Sequence, residues 1–316
     1  MASSSKKTFQ KPSLSLKEQL SQLENRGMQI DDDSNAMLSL AHLNYYRLGA
    51  YWLPFEKNHD NHQFNKGTHI DDVLNLYVFD REFRLFLMDA IERLEVSVRT
   101  QFAFCLSQEY GAHVHLKPEI FHDLILYSRS LSNLERDVKR SKERFIKHLL
   151  AKYSEALPAI WAVVELMSLG QLSMWYENIN KRSDRKRIAD CYNVDEKILT
   201  SFLRHLTYLR NLCAHHSRVW NRNCTITPSL PGNRPSNLNV NFNKTKSVER
   251  KIYNSLVMLI HFMDITCPGH HFRARLKTLI EKHKIVTANM GFPENWETLP
   301  IWLASDLKNK LEQRKE

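Results

Sequence analysis

Glycine and proline are scarce, with 8 and 10 respectively in 316 residues, so the chain has few of the residues that set tight turns. A sheet-rich architecture with many short connections is therefore a poor fit. Long apolar runs are missing too: the strongest, Ser255 to Met263, falls far short of the ~20 residues needed to cross a bilayer. The cysteines Cys105, Cys191, Cys213, Cys224 and Cys267 are scattered, odd in number and without a CxxC pair, which suits reduced thiols in a cytosol. No apolar signal region opens the chain, and no Gly-rich phosphate loop, HExxH pattern or Ser-His-Asp order occurs. A cytoplasmic protein without membrane segment or cofactor is expected. Acidic residues are absent between Lys197 and Val248, a stretch that holds Arg204, Arg210, Arg218, Arg222, Arg234, Lys244 and Lys246.

What is present favours helices. Leu, Lys, Glu, Arg and Ala dominate, and the net charge of +10 biases the partners toward polyanions such as RNA. We expect an all-α fold, a helical bundle with additional N- and C-terminal helices. The expected organisation is a flexible basic tail over 1–13, a helical domain over 14–222, a long Asn- and Pro-rich loop over 223–245, and C-terminal helices over 246–316 packed on the same domain. Helical patterns fall at 15–27, 33–47, 70–108, 158–168, 171–180, 183–191, 195–214, 246–264, 271–282 and 303–314. Over 120–153 the charge is mostly basic, read as a solvated helix face in preference to a second RNA-facing strip, and between Gly49 and Gly67 the chain suggests an irregular connection or a small hairpin. On the 70–108 helix, Asp80 and Arg84 interrupt the apolar stripe and should be paired. The dense Tyr45, Tyr46, Tyr51, Trp52 and Phe55 block reads as core in preference to a base-stacking platform.

The most informative run is Leu209 to Arg222, with Arg210, Asn211 and His215 in an Arg-X4-His arrangement. A guanidinium suits a phosphodiester, and an imidazole, with an ordinary pKa of about 6.5, exchanges protons near neutrality. On a helical wheel Arg204, Tyr208, Asn211, His215 and Arg218 fall within about 80° of one another, opposite Leu199, Phe202, Leu206, Leu209 and Cys213. A polar stripe without carboxylates is suited to RNA, with Arg204, Tyr208, Arg218 and Arg222 as candidate contacts; Arg218 and Arg222 read equally well as surface charges. Arg210 and His215 lie about 140° apart on that wheel. Either the long Arg reaches round, the last turn tightens, or a second copy of the chain completes a two-fold composite site, the option we favour.

The blocks Asn44 to Phe55, Phe79 to Arg84, Ile91 to Arg99, Leu169 to Leu172 and Arg210 to Arg222 resemble, in order, the Abi-like proteins of bacterial abortive infection, the AbiF and AbiD type, which are grouped with the HEPN superfamily. The likeness covers 44–222 and weakens beyond. It implies a helical bundle paired as a homodimer, and a metal-independent ribonuclease centre in which Arg210 and His215 are the catalytic pair and Asn211 the polar residue that follows the Arg. It also implies antiphage defence or toxin-like growth arrest, in some members with a small noncoding RNA partner, and a relationship to the nuclease domains of RNA-guided RNA-cleaving effectors. The reaction would be attack by the RNA's own 2′-hydroxyl, leaving a 2′,3′-cyclic phosphate and a 5′-hydroxyl, with His215 moving a proton and Arg210 stabilising the phosphorane. The alternatives are a non-cleaving protein that holds a structured noncoding RNA, or a toxin silenced by another protein.

Supporting roles are open. Glu95 and Arg99 form an i,i+4 pair, and the sharper reading has Glu95, at a matching family position, crossing to orient Arg210 or His215. His216 lies nearer the apolar side and reads as structural. Cys213, His215, His216 and Cys224 are the right atom types for zinc, but their spacing matches no common finger, so no metal is expected. The pairs His113 with His115 and His270 with His271 read as loop or surface residues.

Overall fold

Short polar side chains decide where the helices start. Ser15 and Glu18 cap each other at the head of α1 (Leu16–Asn25), and Asp32 accepts from the Asn35 N–H to start α2 (Asp33–Leu43). The single helix predicted over 33–47 is divided. Asn44 takes a left-handed backbone (φ 63°) that ends α2, while its side chain accepts from the Tyr46 N–H and opens α3 (Tyr45–Trp52). A small antiparallel hairpin, β1 (Glu56–Asn58) and β2 (Gln63–Phe64), follows in the Gly49 to Gly67 stretch. Of the aromatic block, Tyr51 and Trp52 are buried and Tyr46 is exposed.

The computed structural model describes residue 8 and residues 10–232 and 234–304. Most of the expected basic tail, and the helix predicted over 303–314 beyond Ala304, lie outside them. The fold is all-α: apart from the hairpin and two isolated bridges, the described residues form helices and turns. No helix among them is long and apolar enough to cross a membrane, and none of the five cysteines is in a disulfide.

The chain divides into two compact units, Met1–Arg81 and Glu82–Glu316. In the first, the buried Asp80 carboxylate accepts from the Tyr51 hydroxyl at 2.6 Å, so its charge is hydrogen-bonded inside a core. The long helix α4 (Ile70–Tyr110) buries Val73, Leu87, Ile91, Leu94, Val98 and Phe102 of the stripe that its sequence predicts and leaves Tyr77, its remaining member, half-buried.

The second unit continues with α5 (Leu124–Arg140), α6 (Arg144–Lys152), α7 (Ile160–Val163), α8 (Leu169–Glu177), α9 (Arg182–Asp190), α10 (Glu196–Ala214), α11 (Tyr253–Thr266), α12 (Phe272–Lys282) and α13 (Pro300–Leu303). The basic 120–153 stretch is two helices, separated where Ser141 turns the backbone and accepts from the Glu143 N–H. Helix α11 begins at Tyr253, later than the predicted 246, because turns occupy 246–250. Buried on every side from Tyr253 to Ile260, it is the inner helix of this unit. His115 and His270 are corrections to the surface reading: both are buried, and His270 bonds to Asp264 at 2.9 Å.

Candidate functional site

The site grows from the packing of α8 on α10. A Cβ on Gly170 would meet the Thr207 methyl at 3.3 Å, so glycine lets the head of α8 approach α10 closely. At the other end of α8, the Tyr176 hydroxyl reaches the Glu196 carbonyl at 3.5 Å, so the two helices run antiparallel. Ser168 and Gln171 cap α8 reciprocally, and the Gln171 amide ties it to Asp137 of α5 at 2.7 Å.

Helix α10 has one buried and one open side, as its sequence predicts. Leu199, Phe202, Leu206, Leu209 and Cys213 are buried, whereas Arg204, Asn211 and His215 are exposed. The helix ends at Ala214 with His215 as its C-cap. His216 adopts a left-handed conformation (φ 56°), its N–H donating to the Cys213 carbonyl and that of Ser217 to Leu212, the paired bonds of a Schellman turn. Val219 and Trp220 then bury themselves and return the chain to the body.

The stretch after α10 is pinned along its length. Arg222 Nε and the Thr225 N–H both donate to the Tyr208 hydroxyl, at 3.2 and 3.4 Å, which leaves that hydroxyl's own hydrogen for another acceptor. Lys251 Nζ donates to the Asn221 side chain at 2.6 Å, and burial followed by the charge of Arg218 lowers its pKa. His205, on the buried side of α10, was not singled out from sequence, yet it is the bolt of the wall. Its Nδ1 donates to the Ile226 carbonyl at 2.7 Å, so Nε2 accepts from the Ser255 hydroxyl of α11 at 2.7 Å. Burial pushes His205 down to about 4, so it stays neutral in this role. Nothing local marks it except a polar residue at a packing position.

Between α8, α10 and this wall lies a cleft of about 460 Å³ lined by Gly170, Ser173, Met174, Glu177, Arg204, Thr207, Tyr208, Asn211, Leu212, His215, Ser217 and Ile226. Arg204, Tyr208, Asn211 and His215 therefore share one cavity. The side chains of His215 and Arg204 make no hydrogen bond or ion pair with any described residue, so both are open to a ligand.

The other expected residues stand elsewhere. Arg210 is half-buried, does not line the cleft and has no bonded partner among the described residues. Because α10 stays helical through Ala214, the angular gap between Arg210 and His215 persists. Arg218 departs from its wheel position, since the helix has ended; it lies in the irregular segment that follows, outside the lining, where its carbonyl accepts from Arg222 at 3.3 Å. Arg222 is engaged within that segment. Glu95 is bonded to Arg99, which also donates to the Met167 carbonyl at 2.7 Å just before α8; no hydrogen bond or ion pair joins Glu95 to Arg210 or His215. Among the described residues no group of three or more His, Cys, Asp or Glu is arranged to hold a metal ion.

A family model described as Abi-like protein matches residues 39–221, a span that includes α8, α10 and His215. No curated protein and no solved structure gives a significant match.

Proposed function

The chain belongs to the Abi-like family, and from that premise we propose that it is a metal-independent endoribonuclease of HEPN type, of the AbiF and AbiD kind, acting in abortive infection or as a toxin. The observation that carries the reading is the unpartnered His215 imidazole in a cleft shared with Arg204, Tyr208 and Asn211. A cleft with a proton carrier, a cation and two neutral donors fits a phosphodiester whose own ribose supplies the nucleophile. The 2′-oxygen forms a bond to phosphorus as the bond to the 5′-oxygen breaks. His215 takes the 2′-hydroxyl proton or gives one to the leaving oxygen, a contribution of about 10²–10⁴-fold in rate. Arg204 and the Tyr208 hydroxyl hold the phosphoryl oxygens from this chain, and Arg210 contributed by a second copy meets the charge of the phosphorane, the role that the family pattern gives it.

The position of Arg210 supports pairing. A guanidinium that does not face the cleft of its own chain, and has no partner among the described residues, is suited to a site shared with a second copy. The same observation favours a second reading, a protein that holds a structured noncoding RNA without cutting it.

Incubation of the purified protein with defined RNAs in EDTA, followed by end-group analysis, separates the two. We expect cyclic phosphate ends that are lost in His215→Ala and in Arg210→Ala while RNA binding persists. Mixing the two inactive variants should restore part of the activity if the site is composite. A requirement for added metal would reject the mechanism, and RNA binding without cleavage by the unaltered protein would leave the second reading.

A further inference from the structure

The cleft does not end at Arg204. A second cavity of about 630 Å³ is lined by His122, Glu177, Arg185, Glu196, Lys197, Thr200, Ser201, Arg204, Thr225, Ile226 and Thr227. It shares Glu177, Arg204 and Ile226 with the first, so the two form one groove. The floor is a single face of α10, Lys197, Thr200, Ser201, Arg204, Thr207, Tyr208, Asn211 and His215, recurring at three- and four-residue steps. From Lys197 to His215 that face runs about 27 Å at 1.5 Å per residue, long enough for several nucleotides of a single strand.

The extension suits a phosphate backbone. Lys197 and Arg204 are exposed cations without a bonded partner among the described residues. His122 has its Nδ1 against the Asn178 carbonyl at 3.0 Å, which leaves Nε2 for the groove. The buried Glu196 is neutralised by Arg182 at 2.6 Å, and that bond is the first cause of its lowered pKa. One group does not fit a backbone track. Glu177, at the end of α8 where the two cavities join, is an exposed carboxylate with no hydrogen bond or ion pair to any described residue.

A carboxylate only accepts, so beside a nucleic acid it fits the amino edge of a base and not the phosphate. Adenine, cytosine and guanine carry an exocyclic amino group; the corresponding edge of uracil offers carbonyl oxygens on both sides of one N–H. Single-stranded RNA is the substrate form whose base edges are free to be read this way. Resting on the ribonuclease reading above, we propose that the second cavity is an RNA subsite in which Lys197 and Arg204 hold the strand and Glu177 selects an amino-bearing base over uracil.

The test is kcat/KM for short single-stranded oligonucleotides that differ at one position, scanned on both sides of the cleavage point, with their Kd measured by fluorescence anisotropy. At one position we expect about tenfold preference for amino-bearing bases over uracil, the discrimination of one good base contact. Glu177→Gln, whose amide can donate to a uracil carbonyl, should bring the ratio to about twofold or less by improving the uracil substrate. Lys197→Ala should raise KM for long oligonucleotides and leave the ratio unchanged. Cleavage without base preference, or a preference that survives in Glu177→Gln, overturns the assignment and leaves the ribonuclease reading standing. If the protein cuts no RNA, a Kd preference that Glu177→Gln removes upholds the subsite while the ribonuclease reading falls, and equal Kd values overturn both.

Discussion

His216 shows at the scale of one residue how the site is held. A left-handed backbone in a Schellman turn is the usual place of glycine, and here a side chain with a Cβ occupies it one residue after the cleft histidine. His216→Gly should keep the turn and the position of His215. His216→Val, β-branched and unable to adopt φ 56° without strain, should cost about 1–3 kcal/mol in thermal or denaturant unfolding and, on the proposed ribonuclease reading, reduce RNA cleavage at the same time. An unaltered unfolding midpoint in the valine variant would contradict this. Residues of α10 and its C-cap were legible from spacing alone: Arg204, Tyr208, Asn211 and the cap His215 share the predicted face, and the displacement of Arg210 is visible on the same wheel. Arg218 was not, because the wheel has no meaning past the Schellman turn. His205 was hidden for another reason: its partners, Ile226 and Ser255, are far away in sequence.

Among the elements, α8 depends on a small residue where it meets α10. Its Gly170 is helical and not left-handed, so the need for glycine comes from the approach to Thr207 and not from backbone freedom. Gly170→Ala should be nearly neutral, since about 0.8–1 kcal/mol of better helix propensity offsets a tight contact at 3.3 Å. Gly170→Val should push α8 off α10, lose about 1–3 kcal/mol of stability by overpacking and, on the proposed reading, weaken RNA affinity by deforming the cleft. Equal stability and affinity for the valine and alanine variants would show that the approach is not tight. Long amphipathic helices such as α4 and α10 announce themselves by periodicity, and their ends agree with the sequence to within two residues. Breaks made by one residue do not: Asn44 ends one helix and starts another within an unbroken helical pattern, and the start of α11 depends on turns over 246–250 that carry helix-compatible residues.

At the scale of the whole molecule, His115 and His205, two of the buried histidines, tie stability to pH. His205 and His115 both lie in the Glu82–Glu316 unit, and burial pushes each down to about 4, with the neighbouring His113 adding to the shift at His115. A histidine held below its ordinary pKa of about 6.5 is neutral in the fold while the unfolded chain takes up a proton. The unfolded state therefore binds more protons between about pH 6.5 and 4. Stability is full above that window and declines as pH falls through it, by up to about 1.4 kcal/mol per pH unit for each histidine. The two differ in what they contribute. Both nitrogens of His205 are hydrogen-bonded, so His205→Phe should destabilise the wall of the cleft even at neutral pH, by orphaning the Ile226 carbonyl and the Ser255 hydroxyl. Neither ring nitrogen of the fully buried His115 has a hydrogen-bond partner among the described residues, so it bears a desolvation cost with no bond in return. His115→Phe should raise stability at pH 7 and remove about one proton from the slope between pH 6.5 and 4, read from denaturant midpoints across that range. A variant less stable at neutral pH, with the slope unchanged, would mean that the ring of His115 is held by a polar partner.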